Sequence, residues 1–251
     1  MNIIFISGVK YGYELLKTIL DDGWKISVVF SYDENKKIYY SDYTSFDKIT
    51  SIYGIKQVKV QNINDKKNLD IIKFIKPDLI LVMGWSQLIK KEILSIPKIG
   101  VIGSHPTLLP KYRGRAPIPW SIIKGLNESA LTFFYMDEGA DSGDILDQRK
   151  FEISNNDDAY SMYNKITDLG KIMILENLKL LDTGKAKRVK VYNIVEGILG
   201  KFDILHFDEA TLLLTPKKYS ANALTVTFKI MDNTIVGSLN FLVGLGFKSK
   251  G

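Results

Sequence analysis

Residues 2–7, Asn2-Ile3-Ile4-Phe5-Ile6-Ser7, form an unbroken apolar run of the kind a strand shows when both its faces are buried. A loop over 8–12 follows. Leu15, Leu16, Ile19 and Leu20 then recur at helical spacing within 13–20, and 25–30 is again a strand-like run. Strand, loop, helix and strand in that order predict a parallel βαβ unit. Residues 31–43 read as a long polar, tyrosine-rich loop and 45–53 as a helix. A short strand at 57–60, a helix over 64–75 and the apolar run Leu79-Ile80-Leu81-Val82-Met83 repeat the alternation, with a helical turn expected over 88–94. Residues 99–102 end a further strand, 118–124 open a helix after proline, and 131–136 and 145–153 read as strands. A helix over 159–181, with Asp157 as its N-cap, closes the series. Such repetition predicts an α/β fold built on a doubly wound, mostly parallel sheet.

The pattern changes after Gly184. Lys185, Lys187, Arg188 and Lys190 form a basic cluster, read as a solvated helix exit. Strand-like segments follow at 211–215, 224–228 and 238–243, with Asp232-Asn233 as a turn between the last two. The expected organisation is therefore a catalytic domain over 1–189 and a small β-rich region over 190–251.

Composition narrows the class. The 251 residues are 45% hydrophobic and 25% charged, as in a globular protein. The sequence contains no cysteine, so disulfides, thiolate catalysis and thiolate-held metals are excluded. No apolar run reaches the roughly 18 residues of a membrane span, and no signal peptide is evident, so a cytoplasmic protein is expected. The net charge of +6 suits an anionic substrate or nucleic acid, although on charge alone ordinary surface lysine is the better account.

Two loops carry the candidate chemistry. The first runs His105-Pro106-Thr107-Leu108-Leu109-Pro110-Lys111-Tyr112-Arg113-Gly114-Arg115-Ala116-Pro117. It places one of only two histidines where a strand hands over to a loop shaped by three prolines, the usual place for chemistry in an open α/β sheet. The second, Met136-Asp137-Glu138-Gly139-Ala140-Asp141-Ser142-Gly143-Asp144, is acidic and glycine-punctuated, without the calcium-loop spacing. A histidine and a carboxylate at two strand ends suit general acid–base work. There is no Gly-x-Ser-x-Gly elbow, no metal-ligand spacing and no Gly-x-Gly-x-x-Gly in the first loop. Transfer of an acyl-type group to an amine is a reasonable class, which the pattern alone does not establish.

These two loops together resemble the formyltransferases that use 10-formyltetrahydrofolate, over roughly residues 1–190 and with a similar interval from His105 to Asp141. The resemblance implies a Rossmann-like fold, His105 and Asp141 as catalytic residues, and no metal. It implies a folate pocket lined by Met83, Gly84, Gln87, Leu88 and Ile89 and completed by Glu138, and it places Arg115 on the acceptor side of the cleft. One position departs from the family. Gly103 stands where an asparagine usually donates to the oxygen of the tetrahedral intermediate, a loss of about 2.7–4 kcal/mol if nothing replaces it. Ser104, a backbone N–H or protonated His105 are the available substitutes; otherwise the protein is a folate- or nucleotide-binding relative with little turnover.

Glycinamide ribonucleotide members of the family lack this form of the second loop, which leaves sugar-nucleotide and tRNA acceptors. The segment from Lys190 to Gly251 falls short of the about 100 residues of a small nucleic-acid-binding domain, and its basic residues are not interleaved with stacking aromatics. The reading is therefore a nucleotide-linked amino sugar as acceptor, as in polysaccharide biosynthesis, with nucleic acid disfavoured and methionyl-tRNA as the alternative. Homodimer contacts and a truncated longer domain remain two open roles for the tail.

Overall fold

The computed structural model describes residues 1–191 and, beyond them, the strands Phe202–Phe207, Thr211–Pro216 and Val226–Lys229. The chain divides into two units, one of Met1–Leu109 and Arg113–Val189, the other of Pro110–Tyr112 and Lys190–Gly251. In the first, β1 (Ile3–Ile6), α1 (Lys10–Asp21), β2 (Ile26–Tyr32), α2 (Asp47–Ile52), β3 (Lys56–Val60), α3 (Lys66–Ile75), β4 (Leu79–Val82), α4 (Lys91–Leu94), β5 (Gly100–His105), α5 (Pro117–Ile123), β6 (Glu128–Tyr135), β7 (Ile145–Glu152) and α6 (Ala159–Asp182) follow one another. The seven strands form one sheet in the order β3-β2-β1-β4-β5-β6-β7. The pairs from β3 to β5 are parallel, whereas β5–β6 and β6–β7 are antiparallel. This is the doubly wound, mostly parallel fold that the alternation predicts.

Burial on both faces explains the unbroken apolar strands. Ile3, Phe5, Leu79 and Leu81 point to one side, where Leu15, Leu16 and Ile19 of α1 and Met173, Ile174 and Leu178 of α6 cover them. Ile4, Ile6, Ile80 and Val82 point to the other, against Ile72 of α3 and Ile93 of α4. Strand order reverses between β1 and β4, so the crevice beyond their carboxyl ends is the topological switch point where such sheets take ligands.

Some element ends differ from expectation for definable reasons. Residues 88–90 stay outside α4, where the Asn64 amide donates to the Leu88 carbonyl (2.9 Å) and accepts from the Lys90 N–H (2.9 Å). Residues 31–32 belong to β2, and Glu34–Tyr39 form a 3-10 helix whose first turn is capped by Asp33. Asp158, not Asp157, caps α6, in a reciprocal pairing with Ser161. Asp157 instead accepts from the Ser154 N–H and from Lys165, which hold its carboxyl well below the usual range.

In the second unit, β8 (Phe202–Phe207), β9 (Thr211–Pro216) and β10 (Val226–Lys229) form an antiparallel sheet in the order β10-β9-β8. Two of these strands lie close to their predicted positions; β8, which contains His206, has no counterpart in the sequence reading. The expected strand at 238–243 and the turn at Asp232-Asn233 lie outside the described residues.

The first βα turn is closed by the protein itself. Val9 caps α1 without a side-chain hydrogen bond. The Lys10 N–H instead donates to the Asp42 carbonyl (2.8 Å) and the Tyr11 N–H to the Tyr163 hydroxyl (2.7 Å), which in turn donates to the Asp42 carboxylate (2.8 Å). Burial and the neighbouring Asp42 push the Tyr163 phenol far above its ordinary range, so it serves as a neutral donor. Tyr163→Phe should leave the Tyr11 N–H and Asp42 without this partner and cost about 1–3 kcal/mol, read as a lower urea midpoint at unchanged slope.

Candidate active site

His105 is the last residue of β5 and is only 6% exposed. Its loop is pinned to the two antiparallel strands that follow. Ser129 donates to the Pro106 carbonyl (3.2 Å), and Thr132, the cross-strand partner of His105, donates to the Thr107 carbonyl (2.6 Å). Gln148 on β7 donates to the Leu109 carbonyl (2.9 Å) and to the Thr132 hydroxyl (2.8 Å). Buried carbonyls leaving the sheet need such donors, and three polar side chains set among apolar strand residues supply them.

The acidic loop reaches the same point from the β6–β7 hairpin. Asp137 accepts from the Gly139 N–H (3.1 Å) and the Ser142 hydroxyl (2.6 Å), which folds the loop on itself. A Cβ at Gly143 would sit 1.7 Å from the Tyr135 carbonyl oxygen, so only glycine permits this close approach. Asp141 adopts a left-handed conformation at φ 52°, a strained state for a non-glycine residue and one that gathers at functional sites. Its Oδ2 lies 3.5 Å from His105 Nδ1 and accepts from the Gly114 N–H at 3.0 Å. One carboxylate oxygen thus joins the strand end, the far part of the histidine loop and the acidic loop. A carboxylate beside Nδ1 orients the imidazole.

The expected folate-lining residues divide into two kinds. Met83 and Ile89 are core residues, fully or nearly fully buried. Gln87 accepts from the Ile63 N–H (3.0 Å) and donates to the Gln61 carbonyl (2.6 Å), so its amide ties two chain segments together. Gly84 takes φ +67°, with a notional Cβ 2.6 Å from Val9. Leu88, by contrast, is 60% exposed, an apolar side chain open to a ligand ring, and Glu138 is exposed with Lys91 at 3.5 Å. Arg115 is exposed, one residue beyond the Gly114 N–H that touches Asp141.

Gly103 lies in β5 on the same face as His105 and needs no left-handed backbone. Its missing side chain makes room for Met136: a Cβ there would come within 2.9 Å of Met136 Cγ and 3.1 Å of Phe134 Cζ. Sequence reading missed Ser129, Thr132 and Gln148. Their only signal is a hydroxyl or amide inside a strand pattern, which does not say what it bonds. The aromatic stack Tyr40–Tyr32–Trp85, with centroids 4.6 and 3.8 Å apart, was equally hidden; Ser86 bonds both phenols. Among the described residues no group of three or more His, Asp or Glu could hold a metal ion, and no helix is long and apolar enough to cross a membrane.

Residues 1–178 match the family model described as formyl transferase. The methionyl-tRNA formyltransferase of Clostridioides difficile (strain 630) is 33% identical over 197 residues, which is 75% of this chain and 62% of that protein. The chain thus spans about three-fifths of the length of such curated relatives. Glycinamide ribonucleotide transformylase 1 of Symbiobacterium toebii superposes with a TM-score of 0.63 at 17% identity, over 76% of this chain and 95% of that one. An N-formyltransferase from Helicobacter canadensis, solved with folinic acid and dTDP-3-aminofucose, gives 0.59 at 16% identity, over 86% and 96%. At these identities the two structures share the fold.

Gly103→Asn should be unfavourable as a single change, because the new side chain meets Met136 and Phe134. The expected loss is about 1–3 kcal/mol in urea unfolding, and Met136→Ala in the same chain should return most of it. Full stability of the single variant would show that Met136 does not fill this space.

Proposed function

The chain belongs to the formyl transferase family, and from that premise we propose that it moves a formyl group from 10-formyltetrahydrofolate to the amine of a nucleotide-linked amino sugar. The observation that carries the reading is the approach of Asp141 Oδ2 to His105 Nδ1, 3.5 Å, at the carboxyl end of β5, the neighbour of β4. In this reading the neutral amine attacks the formyl carbon and a C–N bond forms. His105 donates a hydrogen bond to the oxygen that gains charge, where the site has no side-chain donor at Gly103. Asp141 holds the imidazole and accepts the amine's proton, directly or through water. The bond from the formyl carbon to the folate nitrogen then breaks, and that nitrogen takes up a proton. Leu88 and Glu138 are the residues of the expected pocket open to the folate; Met83 and Ile89 shape it from the core side.

The acceptor is argued separately. The first βα turn, a common phosphate site in doubly wound folds, is filled here by Asp42 and Tyr163. A phosphorylated acceptor must therefore be held elsewhere. Exposed Arg115 beside the Asp141 contact suits a diphosphate, and the Helicobacter canadensis protein of the same fold binds an amino-sugar nucleotide. A second reading, charged initiator tRNA, is favoured by the 33% identity to a methionyl-tRNA formyltransferase. Incubating the protein and 10-formyltetrahydrofolate with nucleotide-linked 3- and 4-amino sugars, or with methionyl-tRNA, and weighing the products separates the two. Formylation of the tRNA alone would overturn the sugar reading, and folate binding with no transfer to either would indicate a binding relative.

His105→Ala and Asp141→Asn should each lower kcat by about 10²–10⁴ in folded protein. Near-normal turnover would remove that residue from the mechanism. Arg115→Lys should raise KM for the amino-sugar nucleotide by about ten- to a hundredfold, as expected for loss of a charged hydrogen bond of roughly 1.5–3 kcal/mol, and leave KM for the folate nearly unchanged. With tRNA the same variant should chiefly alter the salt dependence.

A further inference from the structure

Arg188 lies in the basic cluster after α6, which the sequence presents as a solvated helix exit. The structure gives it a different setting. Its Nε donates to Asp144 Oδ2 at 2.7 Å, and its guanidinium carbon lies 4.5 Å from the centre of the Tyr135 ring. The next residue, Val189, exchanges both backbone hydrogen bonds with Ile145, each 2.8 Å. Tyr135 and Asp144 are the two feet of the acidic loop, joined by the Tyr135 N–H to the Asp144 carbonyl at 2.8 Å. So a single side chain touches both feet, and its neighbour extends the sheet at the loop's exit. Within the loop stands Asp141, at φ 52° and directed at His105.

We propose that Arg188 is a positioning residue that holds the acidic loop closed, so that Asp141 stays in its left-handed conformation and in reach of His105. The inference rests on the reading of His105 and Asp141 as the reacting pair. The physical case is one of compensation. A left-handed aspartate returns to ordinary backbone unless its surroundings fix it. Inside the loop, Asp137 accepts from the Gly139 N–H and the Ser142 hydroxyl, and Gly143 permits the close approach; both act within the hairpin itself. Arg188 and Val189 attach the exit of the hairpin from outside, as the Met136 N–H to the Val101 carbonyl (2.7 Å) ties its entry and the Gly114 N–H ties Asp141 itself. Arginine suits the position because a flat guanidinium can bond a carboxylate at its edge and lie on an aromatic face at once. Lysine can keep the charge but not both contacts. The Asp144 side chain is 20% exposed and that of Arg188 59%, so salt should weaken the pair but not abolish it.

The test uses the full chain and two readouts. The chain has two histidines, so the His105 imidazole signals in a ¹H–¹⁵N spectrum are identified by their loss in His105→Gln. Arg188→Ala should move those signals in the direction that Asp141→Asn moves them, and should add nothing further in an Asp141→Asn background. Arg188→Lys and Asp144→Asn should shift them part of the way. With an active acceptor, Arg188→Ala should lower kcat about tenfold, short of the 10²-fold that a 1 Å misplacement can cost, with KM for the folate within about twofold. That loss should vanish in the Asp141→Asn background. His105 signals that stay at their wild-type positions in folded Arg188→Ala, or equal effects of Arg188→Ala with and without Asp141, would overturn the proposal. If Arg188→Ala does not fold, Arg188→Lys and Asp144→Asn carry the same comparison. Absence of formyl transfer in the unaltered protein would count against the functional reading alone, since the spectra judge the clamp without turnover.

Discussion

The bare backbone of Gly143 against the Tyr135 carbonyl is the constraint on which the candidate site depends. A β6–β7 hairpin of ordinary width would carry its loop away from the sheet end. With no side chain at position 143 the two strands close tightly at the loop's base, 1.7 Å being all that a Cβ would have. The loop folds back, and Asp141 arrives beside a histidine that β5 has delivered from the interior. Strain accumulates where it is useful. Of the four non-glycine residues with left-handed backbone among the described residues, Tyr112, Ala116 and Asp141 lie in the two loops, while Lys76 ends α3. The sheet beneath consists of unbroken apolar strands covered on both faces, and it gives these loops a stiff base.

Around that constraint the chain applies one device repeatedly: a polar side chain from one segment satisfies the backbone of another. Thr132 and Gln148 do this for the histidine loop, Asn64 for the segment after β4, Gln87 of that segment for the backbone of Gln61 and Ile63, and Asp42 with Tyr163 for the first turn of α1. Each bond is worth little as a net contribution, about 1 kcal/mol, but leaving either partner unsatisfied in the interior costs more. Such ties therefore fix geometry more than they add stability. The tie at α1 also has a chemical consequence, because it spends the helix N-terminus on the protein's own groups.

Position 103 shows how a departure from a family pattern is absorbed. Read as a letter, glycine for asparagine is a lost hydrogen-bond donor. In the fold it is also space, and Met136, the first residue after β6, fills that space with an apolar side chain. Restoring the amide is thus a packing problem before it is a catalytic one. In the proposed reaction, oxyanion stabilisation falls to His105 and to backbone donors.

Much of this protein was legible in the sequence because the relevant physics is local. Apolar runs and helical spacing identify β1, α1, β4 and α6, since burial on both faces or on one stripe imposes a period that the letters carry directly. The two loops, and His105 within the first, stood out for the same reason: proline, glycine and charge mark a shaped turn at a strand end. Asp141 was singled out among the four carboxylates of the second loop only by the family resemblance. What the letters could not carry was pairing at long range. Nothing local says that Arg188 reaches Asp144, that Tyr163 caps a helix more than a hundred residues earlier, or that Ile89 is core while its neighbour Leu88 is open. The order of strands decided these matters, because it fixes which side chains share a face and which backbone groups are left for a distant donor. The sequence by itself determined the layers and marked the two candidate loops; the tertiary structure alone decided what holds His105 and Asp141 in place.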